Sequence, residues 1–193
     1  MIRRTAARSA KIAVGAMMLA SGSPVSAAAD ARADFVAKLF IDACVPNMGQ
    51  PAKVRTWAEE HHLGQISSPA ALGVFVGPGD RGAAWAVPAA SGNYALSIRG
   101  TTTACAVWAQ AADPEAVEAL FKTLIQGVER PGLKIAVDED LTSPSPSGKV
   151  RTLIYNVTVP EAAISYEFTM QTAEHPGGAF QASIQVARAS GHP

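Results

Sequence analysis

The chain has only two cysteines in 193 residues and no acidic side chain in its first eleven, and its N-terminal apolar run is too short to cross a bilayer. Each shortage excludes something. Spanning a membrane takes about 20 consecutive apolar residues, and Ile12–Ala20 supplies roughly half of that. Lipid attachment after export requires a cysteine next to the cleavage site, whereas Cys44 and Cys105 lie far downstream. There is no Cys-x-x-Cys, so thioredoxin-like redox chemistry has no motif to work from. Gly-x-Ser-x-Gly and His-Glu-x-x-His are missing as well. The four histidines, His61, His62, His175 and His192, are scattered. A hydrolytic triad would therefore have to be assembled from distant residues by the fold.

What is present at the N-terminus is Arg3, Arg4, Arg8 and Lys11, followed by Ile12–Ala20, then Ser21–Pro24, then Val25-Ser26-Ala27. A basic stretch, a short apolar stretch and small residues at the cut are the parts of a secretory signal peptide, residues 1–27. Thr5, Ala6 and Ala7 after the arginine pair do not fit the twin-arginine signal, which leaves the general secretion route. Cleavage after Ala27 leaves 166 residues, 28–193, enough for one α+β domain with its own core. The leader takes four basic residues with it, leaving 12 against 16 acidic ones and a formal charge of −4. A mildly acidic exported chain lacks the basic surplus that nucleic acid requires. An even pair of cysteines in such a chain points to one disulfide, Cys44 to Cys105. Closing some 60 residues restricts the unfolded chain by roughly 4 kcal/mol.

Apolar residues at three- and four-residue steps (Phe35, Val36, Leu39, Phe40, Ala43, Cys44) predict a first helix that Pro46 and Asn47 end. A second helix runs from about Pro51, with Val54, Trp57 and Ala58 inward and Gly64 as its stop. From Gly73 to Ala109 short apolar stretches broken by Gly, Pro and Ser predict a meander over 83–87, 94–99 and 104–109. Cys105, Val107 and Ala109 share one face of its last strand, Ala106 and Trp108 the other. Asp113-Pro114 is a cap followed by a first-turn proline, and Val117, Leu120, Phe121, Leu124, Ile125 and Val128 form the stripe of a third helix. Strands follow at 133–137 and in the alternating stretches around Leu153–Val159, Ile164–Met170 and Phe180–Val186. Ser165, Glu167, Thr169, Gln171, Gln181, Ser183 and Gln185 fall on the solvent side of the last two. The expectation is a largely antiparallel sheet of about seven strands, in the order ααβββαββββ, with helices on one face. A Pro/Ser-rich stretch near 142–148 is expected as a hairpin tip or mobile loop.

Glu59-Glu60-His61-His62 is the densest polar cluster, but adjacent helical histidines point about 100° apart and do not converge on a metal ion. Gly77-Pro78-Gly79-Asp80-Arg81-Gly82 is glycine-rich yet lacks the Lys-Ser/Thr of a phosphate loop, and Pro78 removes an amide donor, so it is expected as a turn. Trp57, Trp85 and Trp108 sit in apolar patterns that assign them to the core.

The segment Phe40–Cys44 with Trp57-Ala58, Ala84-Trp85, Tyr94-Ala95-Leu96 and Cys105-Ala106-Val107 resembles a group of small exported bacterial proteins of unknown function. That resemblance implies a periplasmic domain and no catalytic residue, cofactor or substrate. The sequence is thus expected to encode a periplasmic or secreted, non-catalytic binding module without metal or cofactor. Its partner would be an envelope protein or other envelope component, and its contact surface the exposed sheet face or the loop 77–82. A hydrolase with a site gathered from distant residues is the alternative. Intact-mass analysis of the exported protein should give a chain starting at Ala28 whose mass rises on reduction by the hydrogens of one opened bridge. Two free thiols in the oxidised sample would contradict it.

Overall fold

The computed structural model describes residues 30–146, 148–176 and 178–189; the expected signal peptide and His192 lie outside them. The first helix, α1 (Ala31–Leu39), widens into a π-helical turn at Phe40–Cys44 and tightens into a 3-10 turn at Val45–Asn47, where Pro46 blocks continuation. Then come α2 (Pro51–Glu60), β1 (Gly64–Gln65), α3 (Pro69–Val76) and the meander β2 (Ala83–Ala89), β3 (Gly92–Ile98) and β4 (Cys105–Ala109). Next are α4 (Pro114–Gly127), β5 (Lys134–Ser145), β6 (Gly148–Val159), β7 (Ile164–Ala173) and β8 (Ala182–Arg188). All eight strands form one antiparallel sheet in the order β1-β2-β3-β4-β8-β7-β6-β5. Two meanders enter from opposite edges and meet where β4 pairs with β8.

The α+β class and the antiparallel sheet agree with the sequence, and four details differ. The sheet has eight strands rather than seven, because the two-residue β1 adds to β2. An extra helix, α3, forms where strand was expected from Gly73 onward. Its sequence, Pro-Ala-Ala-Leu-Gly-Val-Phe-Val, is apolar on all sides and carries no period that separates helix from strand. Helix α2 stops at His61, and His62 takes the left-handed backbone (φ 53°) in place of Gly64, which opens β1. Strand β5 runs on past the expected Val137 to Ser145, pairing Thr142–Ser145 with Gly148–Arg151, so the stretch near 142–148 is the expected hairpin tip and not a loop. Pro144 is tolerated there because β5 is an edge strand, where a missing amide donor breaks no ladder.

The core lies on one face, hereafter the helix face. Trp85, Leu96, Val107, Ile184, Met170 and Leu153 line up across six strands, all 2 % exposed or less, and α1, the π turn, α2 and α4 close over them. The Cys44–Cys105 disulfide joins the π turn to β4 with Cα atoms 5.5 Å apart, so the first helix packs on the Cys105 side of that strand as expected. Asp30 ties α1 to α4. Its Oδ1 accepts the Arg32 amide and its Oδ2 accepts the amide of Asp113, which caps α4 by accepting from Ala116 at 2.7 Å. Burial pushes the Asp30 carboxyl up, but these two amides and the Arg32 side chain outweigh it and hold the pKa below its ordinary value.

Two outcomes follow from these contacts. Asp113→Ala should cost about 1 kcal/mol of stability through loss of the α4 cap. Opening the disulfide with reductant should cost roughly 4 kcal/mol. Urea denaturation measures both, and equal midpoints for oxidised and reduced protein would contradict the second.

Candidate functional site

The sheet's other face is asymmetric. Over β2 and β3 it is closed by α3, whose Phe75 and Val76 pack on Ala84 and Ala95. Phe180 and Trp108 complete that small cluster, with the Phe75 and Phe180 rings 4.8 Å apart. Trp108 is fixed at its border by an Nε1 hydrogen bond of 2.8 Å to the buried Ser97 hydroxyl. Beyond Trp108, over β8, β7, β6 and β5, the face lies open as a polar groove of about 350 Å³.

Strand register builds this groove row by row, since residues paired across an antiparallel sheet share a face. One row runs Trp108, Ser183, Gln171, Thr152. The next runs Ala106, Gln185, Thr169, Ile154, Glu139. In the third, the Arg99 amide bonds the Ala104 carbonyl at 2.9 Å, and the β4–β8 and β8–β7 pairing continues the line through Ala187 to Glu167. Arg99 and Glu167 thus stand on one row of the sheet, three strand spacings apart, with the buried Ala104 and Ala187 between them, and both line the groove.

Arg99 is the unusual member. Its Nε is buried without a hydrogen-bond partner, and among the described residues its guanidinium makes no hydrogen bond and no ion pair. A buried unsatisfied donor costs about 1–3 kcal/mol, more when charged. Its neighbours hold it in place rather than satisfy it. A Cβ on Gly77 would stand 3.8 Å from Nη2, so loop 77–82 lies against the guanidinium. Asp80 locks that loop by accepting from Gly100 N at 2.9 Å and from Thr101 Oγ1 at 2.6 Å. Burial raises the Asp80 pKa, but those hydrogen bonds and the Arg99 charge bring it below its ordinary value. Gly82 closes the loop on β3, where a Cβ would come 2.2 Å from the Ile98 carbonyl oxygen. Glu167 is oriented from β7 by Thr169 Oγ1, which donates to its Oε1 at 3.2 Å.

A second pocket, of about 360 Å³, opens on the helix face between the start of α4 and the β5–β6 hairpin. Two of the charges that line it, Glu118 and Arg151, are already paired. Arg151 bridges Glu118 at 3.4 Å and Asp140, and Lys122 bonds Glu118 at 2.6 Å. The Lys122 hydrogen bond holds the Glu118 carboxyl below the ordinary carboxylate range, with Arg151 adding to it against burial. The Arg151 hydrogen bond does the same for Asp140. This cluster latches α4 to the sheet edge.

The residues singled out in the sequence are dispersed. His61 stacks on Trp57, ring centroids 3.9 Å apart, with its Nδ1 2.8 Å from the Trp57 carbonyl oxygen, while His62 faces solvent. His175 lies beyond the end of β7, and no histidine lines either pocket. Trp85 is core, whereas Trp108 also lines the groove. Sequence alternation did place Glu167, Thr169, Gln171, Ser183 and Gln185 on the open face, whereas Gln181, expected to meet water with them, is buried and its Oε1 accepts the Ala112 amide at 3.1 Å. The sequence pattern gave Arg99 only as the last residue of the strand 94–99, because the signal that it faces the groove is cross-strand register. No protein family, curated protein or solved structure matches the chain.

Lowered carboxylate pKa values stabilise the fold above the ordinary carboxylate range, and that contribution is lost as pH falls through the folded-state values. Arg151→Gln should therefore flatten the fall in stability below about pH 4. Urea midpoints of both proteins measured from pH 6 to pH 2 check it, and parallel curves would contradict it. Gly82→Ala should lose roughly 2 kcal/mol or more by overpacking against β3.

Proposed function

We propose that the protein is a non-catalytic binding module of the bacterial cell envelope, exported by its signal peptide, which holds a small polar component of that compartment in the groove on the open sheet face. The observation that carries this reading is Arg99, a charged donor kept half-buried and unsatisfied at the end of a polar groove. A buried donor without a partner in the chain is a point where a ligand atom can complete the bonding. The leader, the bridge and the resemblance to small exported proteins support the compartment.

The two surfaces that the sequence offered for contact, the exposed sheet face and loop 77–82, adjoin at Arg99. One site therefore accounts for both. The groove walls are hydroxyls, amides and carboxylates, which orient a ligand through several hydrogen bonds. Rigidity comes from the sheet itself and from the Gly82 and Asp80 contacts that fix the loop.

The test uses the purified oxidised protein and small polar solutes extracted from the envelope of the producing bacterium. A bound fraction should raise Tm and shift the Trp108 indole resonance. Gln185→Trp, which fills the middle of the groove from a partly exposed position, should abolish both effects with unchanged circular dichroism. Turnover of an ester, peptide or glycoside substrate that Gln185→Trp leaves intact would favour the hydrolase instead.

A further inference from the structure

We infer that the ligand of this groove is a short peptide with free termini, its carboxylate on Arg99 and its ammonium on Glu167. The inference rests on the binding-module reading and adds the chemical class of what is bound.

The argument begins with the charges. Arg99 and Glu167 have opposite signs, share one row of the sheet and form no ion pair with each other, because Ala104 and Ala187 separate them. Three strand spacings of ~4.8 Å put their Cα atoms about 14 Å apart. A charge-assisted hydrogen bond of about 2.8 Å at each end takes up part of that gap, and an extended peptide covers about 3.3–3.6 Å per residue. Two to three residues laid across the strands bring a terminal carboxylate to one end and a terminal ammonium to the other.

Donor and acceptor chemistry agrees with that direction. The guanidinium offers five N–H groups in a fork that fits a carboxylate with two parallel hydrogen bonds. Glu167 keeps Oε2 free while Thr169 holds Oε1, so the carboxylate is aimed without being neutralised. Beside that row, on the next one, stand Gln185 and Thr169, whose amide and hydroxyl offer hydrogen bonds to a peptide backbone. A neutral glycan would leave both charges unanswered and desolvated, which makes it the poorer occupant.

Trialanine with free ends is the probe, set against N-acetyl-trialanine, trialanine amide and the neutral sugar maltotriose, with the oxidised full chain as protein. Calorimetry gives affinity, and amide and indole resonances give the site. Trialanine should bind and shift Trp108, Ser183 and Gln185. Capping either end should weaken it by roughly tenfold or more, the scale of one charge-assisted contact. Arg99→Gln should erase the difference between trialanine and its amide, and Glu167→Gln the difference between trialanine and its acetyl form. Should either variant fail to fold, the capped peptides on the unaltered protein still decide. Equal affinity for free and capped peptides overturns the inference, as does peptide binding outside the groove. Maltotriose shifting the groove residues where trialanine does not would overturn the ligand class and leave the binding module standing. No groove shift with any of the probes or with the envelope extract would overturn both.

Discussion

The disulfide between Cys44 and Cys105 fixes which face of the sheet becomes the core, and most other features follow from that choice. Cys105 begins β4, one of the two central strands, and its side chain can point only to one face. Binding the π turn to that side commits α1 there, and Asp30 brings α4 alongside by holding the amide of Asp113. With two helices over the β4–β8 seam, the large side chains Phe40, Phe121, Phe168, Met170 and Ile184 pack between them and the sheet. The opposite face is relieved of that duty. It carries Ala84, Ala95, Ser97, Ala106 and Ser183, small residues that leave space above the strands.

How that space is divided decides where a ligand fits. Helix α3 fills it over β2 and β3 with Phe75 and Val76, and nothing among the described residues fills it over β8, β7 and β6. Trp108 marks the boundary, its ring packed on Phe75 and Phe180 and its indole nitrogen bound to Ser97. The groove is thus a by-product of partial coverage. Its floor is rigid because it is the middle of an eight-stranded sheet, and rigid floors suit binding because little ordering remains to be done.

The two pockets show why charge content alone does not mark a site. On the helix face, Glu118, Asp140, Lys122 and Arg151 are many and close, but each already has an opposite partner, and together they latch α4 to the hairpin. On the open face there are fewer charges. Arg99 there has its donors unspent, and Asp80 lowers the cost of keeping it without closing an ion pair. An external anion gains from the second arrangement, whereas at Arg151 in the first it would have to displace bonds already made.

Local pattern in the sequence was enough to determine the class of fold, the meander, the capped helix at Asp113-Pro114, the cysteine pair and the polar side of β7 and β8. These depend on neighbours within a few residues or on a count of two thiols. Helix α3 was out of reach, because an evenly apolar segment becomes helix or strand according to the surface it must cover. The hairpin tip was expected but the length of β5 was missed for a related reason, since Pro144 and its serines look like loop unless the strand is known to be an edge. The groove was decided by tertiary structure alone. Arg99 and Glu167 are far apart in sequence, and the alanines between them come from two further strands. No local pattern can align residues that only the stacking of β3, β4, β8 and β7 sets in one row.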